Sequence, residues 1–170
     1  MITAAATSAS LPDTVRTLDL PDEAATLRLG EILAAKAMRR DVIALQGPLG
    51  AGKTAFARGF IAALARRHGV NPPSEVPSPT FTLVQTYALG PVAVWHFDLY
   101  RISDADDAIE LGLDEALAEG ICLIEWPDRL GQHLPKDRLD LALAYGATDG
   151  ARVAILTGHG AWAERIADVA

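Results

Sequence analysis

The spacing of apolar positions changes several times along the chain, and each change marks an element. From Thr14 to Leu20, Val15, Leu18 and Leu20 stand among polar residues, which predicts a strand. Pro21-Asp22-Glu23 then opens a helix, with proline at its start and acids in its first turn. Ala25, Leu29, Ile32 and Leu33 form its single apolar face. Asp41 to Gln46 is a short apolar run closed by a glycine, the mark of a buried strand. Lys53 to His68 returns to helical spacing, with Phe56, Phe60, Ala63 and Leu64 on one side and Gly69 as the stop. Asn71 to Pro79 is a proline-rich loop. Thr80 to Ala88 and Val92 to Leu99 read as strands joined by a turn at Leu89-Gly90-Pro91. Asp104 to Glu119 is helical with a break near Gly112, and Ile121 to Glu125 is a short apolar strand. Arg138 to Tyr145 and Arg152 to Thr157 alternate, and predict a hairpin around Gly146 to Gly150.

Strands alternating with helices imply an α/β fold. The consecutive strands make its sheet a mixed one. No repeat or linker divides the chain, so residues 14–170 are expected to form one domain behind a flexible leader, residues 1–13. With 170 residues, half of them apolar, the chain has the material for a sizeable core. Charge then narrows the partners. Fifteen Lys+Arg against 22 Asp+Glu leave a net −7, and no basic stripe is present to track a nucleic-acid backbone. Arg39-Arg40 and Arg66-Arg67 read as solvated helix ends. The single cysteine, Cys122, excludes an internal disulfide and a thiolate zinc cluster, and its apolar surroundings predict an inert thiol. The leader lacks a basic n-region, and the uncharged stretch from Val76 to Phe97 is broken by prolines. A cytoplasmic protein without a membrane segment is expected.

The chemistry concentrates between the Asp41–Gln46 strand and the Lys53–His68 helix. Gly47-Pro48-Leu49-Gly50-Ala51-Gly52-Lys53-Thr54 is G-x-x-x-x-G-K-T, the phosphate-binding P-loop. Glycines let successive N–H groups turn inward as an anion nest, and the following helix adds its positive N-terminal end. Gly47, Leu49, Gly50, Ala51, Gly52, Lys53, Thr54 and Ala55 are therefore the expected nucleotide-binding set. Lys53 faces the β/γ-phosphates and Thr54 places its hydroxyl on Mg²⁺. The only asparagine, Asn71, precedes a proline, so the Asn-Lys-x-Asp reader of guanine is absent and ATP is the expected nucleotide. Asp98 and Glu125 each end an apolar strand, where ligands bind in open α/β sheets. Beside a P-loop they are candidates for Mg²⁺ binding and hydrolysis; away from one, each is a surface acid marking a strand end. Residue types alone favour a strand-capping role for Thr80, although a hydroxyl on a mobile loop also suits a switch.

Six stretches appear together in order. They are Pro21-Asp-Glu with Ala25-Thr-Leu, the loop from Gly47 to Thr54, Ser78-Pro-Thr-Phe-Thr-Leu-Val84, His96-Phe-Asp-Leu-Tyr-Arg101, Glu110-Leu-Gly-Leu113 and Cys122-Leu-Ile-Glu-Trp-Pro127. From about Leu20 to Thr157 the chain resembles the bacterial TsaE (YjeE) family, small ATPases needed to make threonylcarbamoyladenosine in tRNA. The resemblance implies a P-loop NTPase fold, α/β, with parallel core strands, antiparallel edge strands and helices on both faces. It places Thr80 in a switch-like segment, and Asp98 and Glu125 at Mg²⁺ and hydrolysis. It sets Trp126 beside the active site, where half-buried packing is an equal reading. It sets Arg152 near the nucleotide base, where a solvated strand position is the plain alternative. His96 belongs to the motif, and a packed, hydrogen-bonded histidine is expected. The chain departs from the family pattern at Pro48 and Ala55, neither needed for the nest or the metal.

The resemblance also implies a function. Lys53, Thr80, Asp98 and Glu125 would carry Mg²⁺-dependent ATP hydrolysis that is weak alone and acts through TsaB and TsaD. tRNA is then engaged only indirectly, and neither DNA nor a membrane is a partner. A small-molecule P-loop kinase is the alternative, disfavoured because no cluster of arginines lies between Thr80 and Glu125 to close over phosphates.

Overall fold

The computed structural model describes residues 13–170. The expected leader lies outside the described residues except for Asp13, whose carboxylate pairs with His159 Nδ1 at 2.9 Å. The elements are β1 (Thr14–Leu20), α1 (Glu23–Lys36), β2 (Val42–Gln46), α2 (Lys53–Arg67), β3 (Val84–Leu89), β4 (Val92–Asp98), α3 (Ala105–Glu110), α4 (Leu113–Glu119), β5 (Ile121–Glu125), a 3₁₀ segment (Pro127–His133), β6 (Leu139–Tyr145), β7 (Arg152–Gly158) and α5 (Ala161–Arg165). Seven strands form one sheet in the order β1-β7-β6-β2-β5-β4-β3. β6, β2, β5 and β4 are parallel neighbours. β3 adds antiparallel at one edge, and β7 followed by β1 at the other. This is the expected mixed α/β sheet.

Burial explains the strand patterns. Val42 to Leu45 and Ile121 to Ile124 are buried throughout, because helices cover both faces of the central strands. Leu29, Leu33, Phe56 and Phe60 of α1 and α2 pack on one face, against Ile43, Leu45 and Leu123. Ala108, Leu113 and Ala116 of α3 and α4 pack on the other, against Val42, Phe97 and Ile124. Cys122 lies in this second core, where burial pushes its thiol up to about 12, so it is inert at neutral pH. α1 starts at an Asp22 cap that accepts from Ala25 N at 2.7 Å. α1 and α2 touch backbone to backbone. A Cβ on Gly59 would sit 2.2 Å from Leu27 O, and one on Gly30 would sit 2.4 Å from Phe56 O.

The structure departs from the sequence reading in four places. β3 begins at Val84 rather than Thr80. Residues 80–83 form a turn in which Leu83, at φ +66°, donates to Pro79 O and accepts from Asp98 N. The apolar alternation of Phe81 and Leu83 mimics a strand there, but their backbone groups are committed to the turn. Ile32 is 41% exposed, at the rim of the buried face centred on Leu29 and Leu33. The 3₁₀ segment and α5 are too short to show a period in the sequence. The two arginine pairs are also more engaged than solvated helix ends. Arg67 donates to Ala34 O and Ala37 O at the end of α1, Arg66 pairs with Glu31, and Arg39 pairs with Glu119.

Candidate nucleotide site

The P-loop emerges from central strand β2 and feeds α2, as its chemistry requires. Gly47 sits at φ +142°, and a Cβ there would lie 2.4 Å from Leu143 O, so only glycine fits this first position. Lys53 opens α2, and its Nζ donates to Gly47 O at 2.6 Å and to Pro48 O at 3.1 Å. The ammonium also lies 5.3 Å from the centroid of the Trp126 ring. Burial lowers the Lys53 pKa, against an opposing pull from the Glu125 and Asp98 carboxylates. Both acids are thus close enough to this lysine to be felt. Thr54 follows it on the first turn of α2, half-buried.

The parallel pairing of β4 and β5 brings the two acids together. Asp98 and Glu125 are register partners at the last rung of the ladder, and both are buried. Asp98 Oδ1 accepts from Tyr100 N at 3.0 Å. Its Oδ2 accepts from the Thr80 hydroxyl at 3.1 Å, and Thr80 Oγ1 lies 2.7 Å from Ser78 Oγ. Glu125 Oε1 accepts from His96 Nε2 at 2.9 Å inside the sheet. Thr80, placed 18 residues before Asp98, therefore reaches the acid cluster through the turn that replaces the expected strand start. Arg101, in the same segment as Asp98, donates to Phe81 O at 3.1 Å and so ties that turn down from its other side.

Trp126 packs next to the P-loop. It is half-buried, takes a left-handed conformation at φ +58°, and packs 4.9 Å from Tyr100 beside Lys53. With Gly47, Pro48 and Asp128 it lines a cavity of about 430 Å³ against the P-loop. Arg152 is placed differently from a solvated strand residue. Its guanidinium donates to Gly50 O at 2.9 Å and Ala51 O at 3.2 Å, and stacks 5.0 Å from Tyr145. Tyr145, which carries no mark in the sequence, donates to Leu49 O at 2.5 Å. Three successive carbonyls of the P-loop are thus held from outside by the β6–β7 hairpin. Tyr145 gives no signal in a single sequence, because only the fold brings it to the loop.

The donor set suits Mg²⁺. Its members are hard oxygens, one hydroxyl and two carboxylates, and Mg²⁺ is usually held by one or two carboxylates with phosphates and waters completing the shell. Among the described residues no group of three or more His, Cys, Asp or Glu is built to enclose a metal. A site of this kind shares its ion with a phosphate ligand.

A mixed sheet whose central strand runs through a G-x-x-x-x-G-K-T loop into a helix, beside acids at the tips of neighbouring parallel strands, defines a P-loop NTPase fold. The family model described as "Threonylcarbamoyl adenosine biosynthesis protein TsaE" matches residues 20–153, and the chain belongs to that family. It is similar to the tRNA threonylcarbamoyladenosine biosynthesis protein TsaE of Bacillus subtilis (strain 168), 38% identical over 130 residues, which cover 76% of each chain. The protein of the same description from Rickettsia conorii is 34% identical over 140 residues, 82% of this chain and 77% of that one. The crystal structure of YdiB from Bacillus subtilis matches the fold with a TM-score of 0.69 at 32% identity, covering 89% of this chain and 90% of that one. No helix among the described residues is long and apolar enough to cross a membrane.

Proposed function

We propose that this protein is a Mg²⁺-dependent ATPase that serves threonylcarbamoyladenosine formation in tRNA by acting on the TsaB–TsaD pair in the cytoplasm. One observation carries the hydrolytic part: Lys53 of the P-loop stands within electrostatic reach of the register pair Asp98–Glu125, with Thr80 hydrogen-bonded to the first of these acids. The loop N–H groups and Lys53 bind the phosphates of ATP. Thr54 and Asp98 would hold Mg²⁺, which would supply charge neutralisation to the phosphates. Glu125 orients the attacking water. The water oxygen adds to the γ-phosphorus as the bond to the β,γ-bridging oxygen breaks, giving ADP and phosphate, and the water's proton leaves through the Glu125 carboxylate.

The arginines support a partner-dependent rate. Arg101 is tied to Phe81 O and Arg152 to the P-loop carbonyls, so both serve the protein backbone. P-loop hydrolases gain roughly 10³–10⁵ in rate where an arginine is supplied in trans. The rim of the site is also apolar and open. Leu49 in the P-loop is 87% exposed and Phe81, next to Thr80, is 86% exposed, with Tyr100 exposed two residues beyond Asp98. Such residues around a charged site suit a protein partner. The Asn71–Pro79 loop leads directly into Thr80 and is exposed apart from the buried anchors Val76 and Pro79 and half-buried Pro73. We place the contact on this loop and rim. A net charge of −7 leaves tRNA to the partner.

Phosphate release by the purified protein, with and without TsaB–TsaD at saturating Mg-ATP, tests this reading. A slow basal rate that rises on complex formation is expected. Equal rates together with no complex on gel filtration would overturn it, and phosphorylation of a nucleoside or metabolite panel would favour the kinase alternative.

A further inference from the structure

We infer that His96 is a positioning residue for Glu125, holding one carboxylate oxygen so that the other is presented to the site. This rests on the reading of Glu125 as the acid that orients water. His96 is fully buried on β4, two residues before Asp98 and on the same face of the sheet. Its Nε2 reaches Glu125 Oε1 at 2.9 Å, and both side chains are shielded from solvent, at 0% and 4% exposure. Its other ring nitrogen, Nδ1, is buried and has no hydrogen-bond partner among the described residues. A histidine placed only to fill space fits this environment poorly. Its flanking positions on the same face, Val94 on its own strand and Leu123 across the ladder, are apolar and fully buried. An aliphatic side chain would pack there without leaving a ring nitrogen unpaired.

The hydrogen bond sets a geometry that packing alone does not. A carboxylate at a strand tip turns about its last side-chain bond, and its two oxygens are equivalent until one is engaged. Donation from His96 fixes Oε1 toward the sheet interior and commits Oε2 to the loop side. Asp98 is held by two donors, Tyr100 N on Oδ1 and the Thr80 hydroxyl on Oδ2, so each acid of the pair has at least one donor that fixes its rotamer. Preorganisation of this kind acts on turnover more than on nucleotide affinity, because the phosphates are bound by Lys53 and the loop.

The inference is tested with two replacements and one spectrum. His96→Gln keeps an N–H donor in reach of Oε1, whereas His96→Leu keeps volume and loses the donor. The expected result is a loss of kcat of about 10-fold or more for His96→Leu, with KM for ATP within about 3-fold. His96→Gln should recover to within about 3-fold of wild type. The double variant His96→Leu/Glu125→Gln should be no slower than Glu125→Gln alone. Without nucleotide, ¹⁵N-imidazole spectra should show His96 protonated at Nε2, with a proton signal that moves in Glu125→Gln. A His96→Leu protein that melts and turns over like wild type, a multiplicative loss in the double variant, or an Nε2 without a proton would each overturn the inference. If Glu125→Gln itself hydrolyses ATP at the wild-type rate, the reading of Glu125 falls and this inference falls with it. A slow Glu125→Gln beside a fast His96→Leu overturns the role of His96 alone.

Discussion

Thr80 donates its hydroxyl to Asp98 Oδ2 at 3.1 Å, joining the segment after the proline-rich loop to the tip of β4. The same turn is pinned by Leu83 N on Pro79 O and by Asp98 N on Leu83 O. The loop is therefore docked on the acid residue through one side-chain contact and one backbone contact, with the Leu83–Pro79 bond closing the turn itself. Thr80→Val keeps the shape and removes only the donor. We expect it to fold normally and lose ATP turnover by about 10-fold or more, while Thr80→Ser stays within a few-fold of wild type. Steady-state phosphate release checks both, and an active Thr80→Val protein would return Thr80 to a purely structural role.

Lys53 gives separate predictions for stability and for binding. Burial lowers its pKa from 10.5, and the nearby Glu125 and Asp98 carboxylates only partly oppose this. The charged form is thus disfavoured in the fold relative to the unfolded chain. That penalty is present below the folded-state pKa and is relieved as pH rises through it toward 10.5, where the unfolded chain binds more protons. Lys53→Met should therefore melt within about 3 °C of wild type at neutral pH. It should lose the rise in melting temperature that saturating Mg-ATP gives wild type, worth about 2.7 kcal/mol at a hundredfold excess over Kd. Melting curves with and without nucleotide decide it, and a full ATP-dependent shift in the variant would contradict the phosphate-binding role.

Much of this architecture is legible in the order of residues alone. The P-loop, its strand and its helix follow from local rules, since a glycine-rich turn needs those neighbours to bind phosphate. Asp98 and Glu125 stand out as strand-end acids because buried parallel strands read as short apolar runs with abrupt ends. Their pairing does not, because register is a property of two strands that the sequence keeps 27 positions apart. The same limit hides Tyr145 on Leu49 O and His96 on Glu125. The false strand start at Thr80 has another cause. Alternation reports which side chains are apolar, whereas the turn is set by where the backbone of Leu83 finds its partners.

The close contact of α1 and α2 predicts a stability effect far from the chemistry. Gly59→Ala would place a Cβ 2.2 Å from Leu27 O, a distance that forces the helices apart. Alanine favours the helix itself by about 1 kcal/mol, but the backbone clash outweighs that gain. The expected outcome is a loss of about 1–3 kcal/mol in denaturant unfolding, with nucleotide affinity reduced only as far as α2 tilts. A Gly59→Ala protein as stable as wild type would mean that the helices separate at no cost.

The last prediction concerns the brace behind the P-loop. Tyr145 holds Leu49 O, and Arg152 holds Gly50 O and Ala51 O. In a trans peptide the next N–H points opposite to the carbonyl. Engaging these carbonyls outward therefore aims the N–H of Gly50 and Gly52 toward the cradle, while Ala51 N is taken by Pro48 O. Two of these three contacts need the fork of a guanidinium, which lysine lacks. Arg152→Ala and Arg152→Lys should both weaken nucleotide binding by about 3- to 30-fold, with kcat at saturation little changed. Tyr145→Phe, which removes one contact, should cost less. A brace acts on the phosphates, so ATP and GTP should lose affinity by the same factor. A contact with the base would instead change the ratio between them. Titration of each variant with both nucleotides separates the two. Unchanged affinity in Arg152→Ala would show that the loop holds its shape without the hairpin.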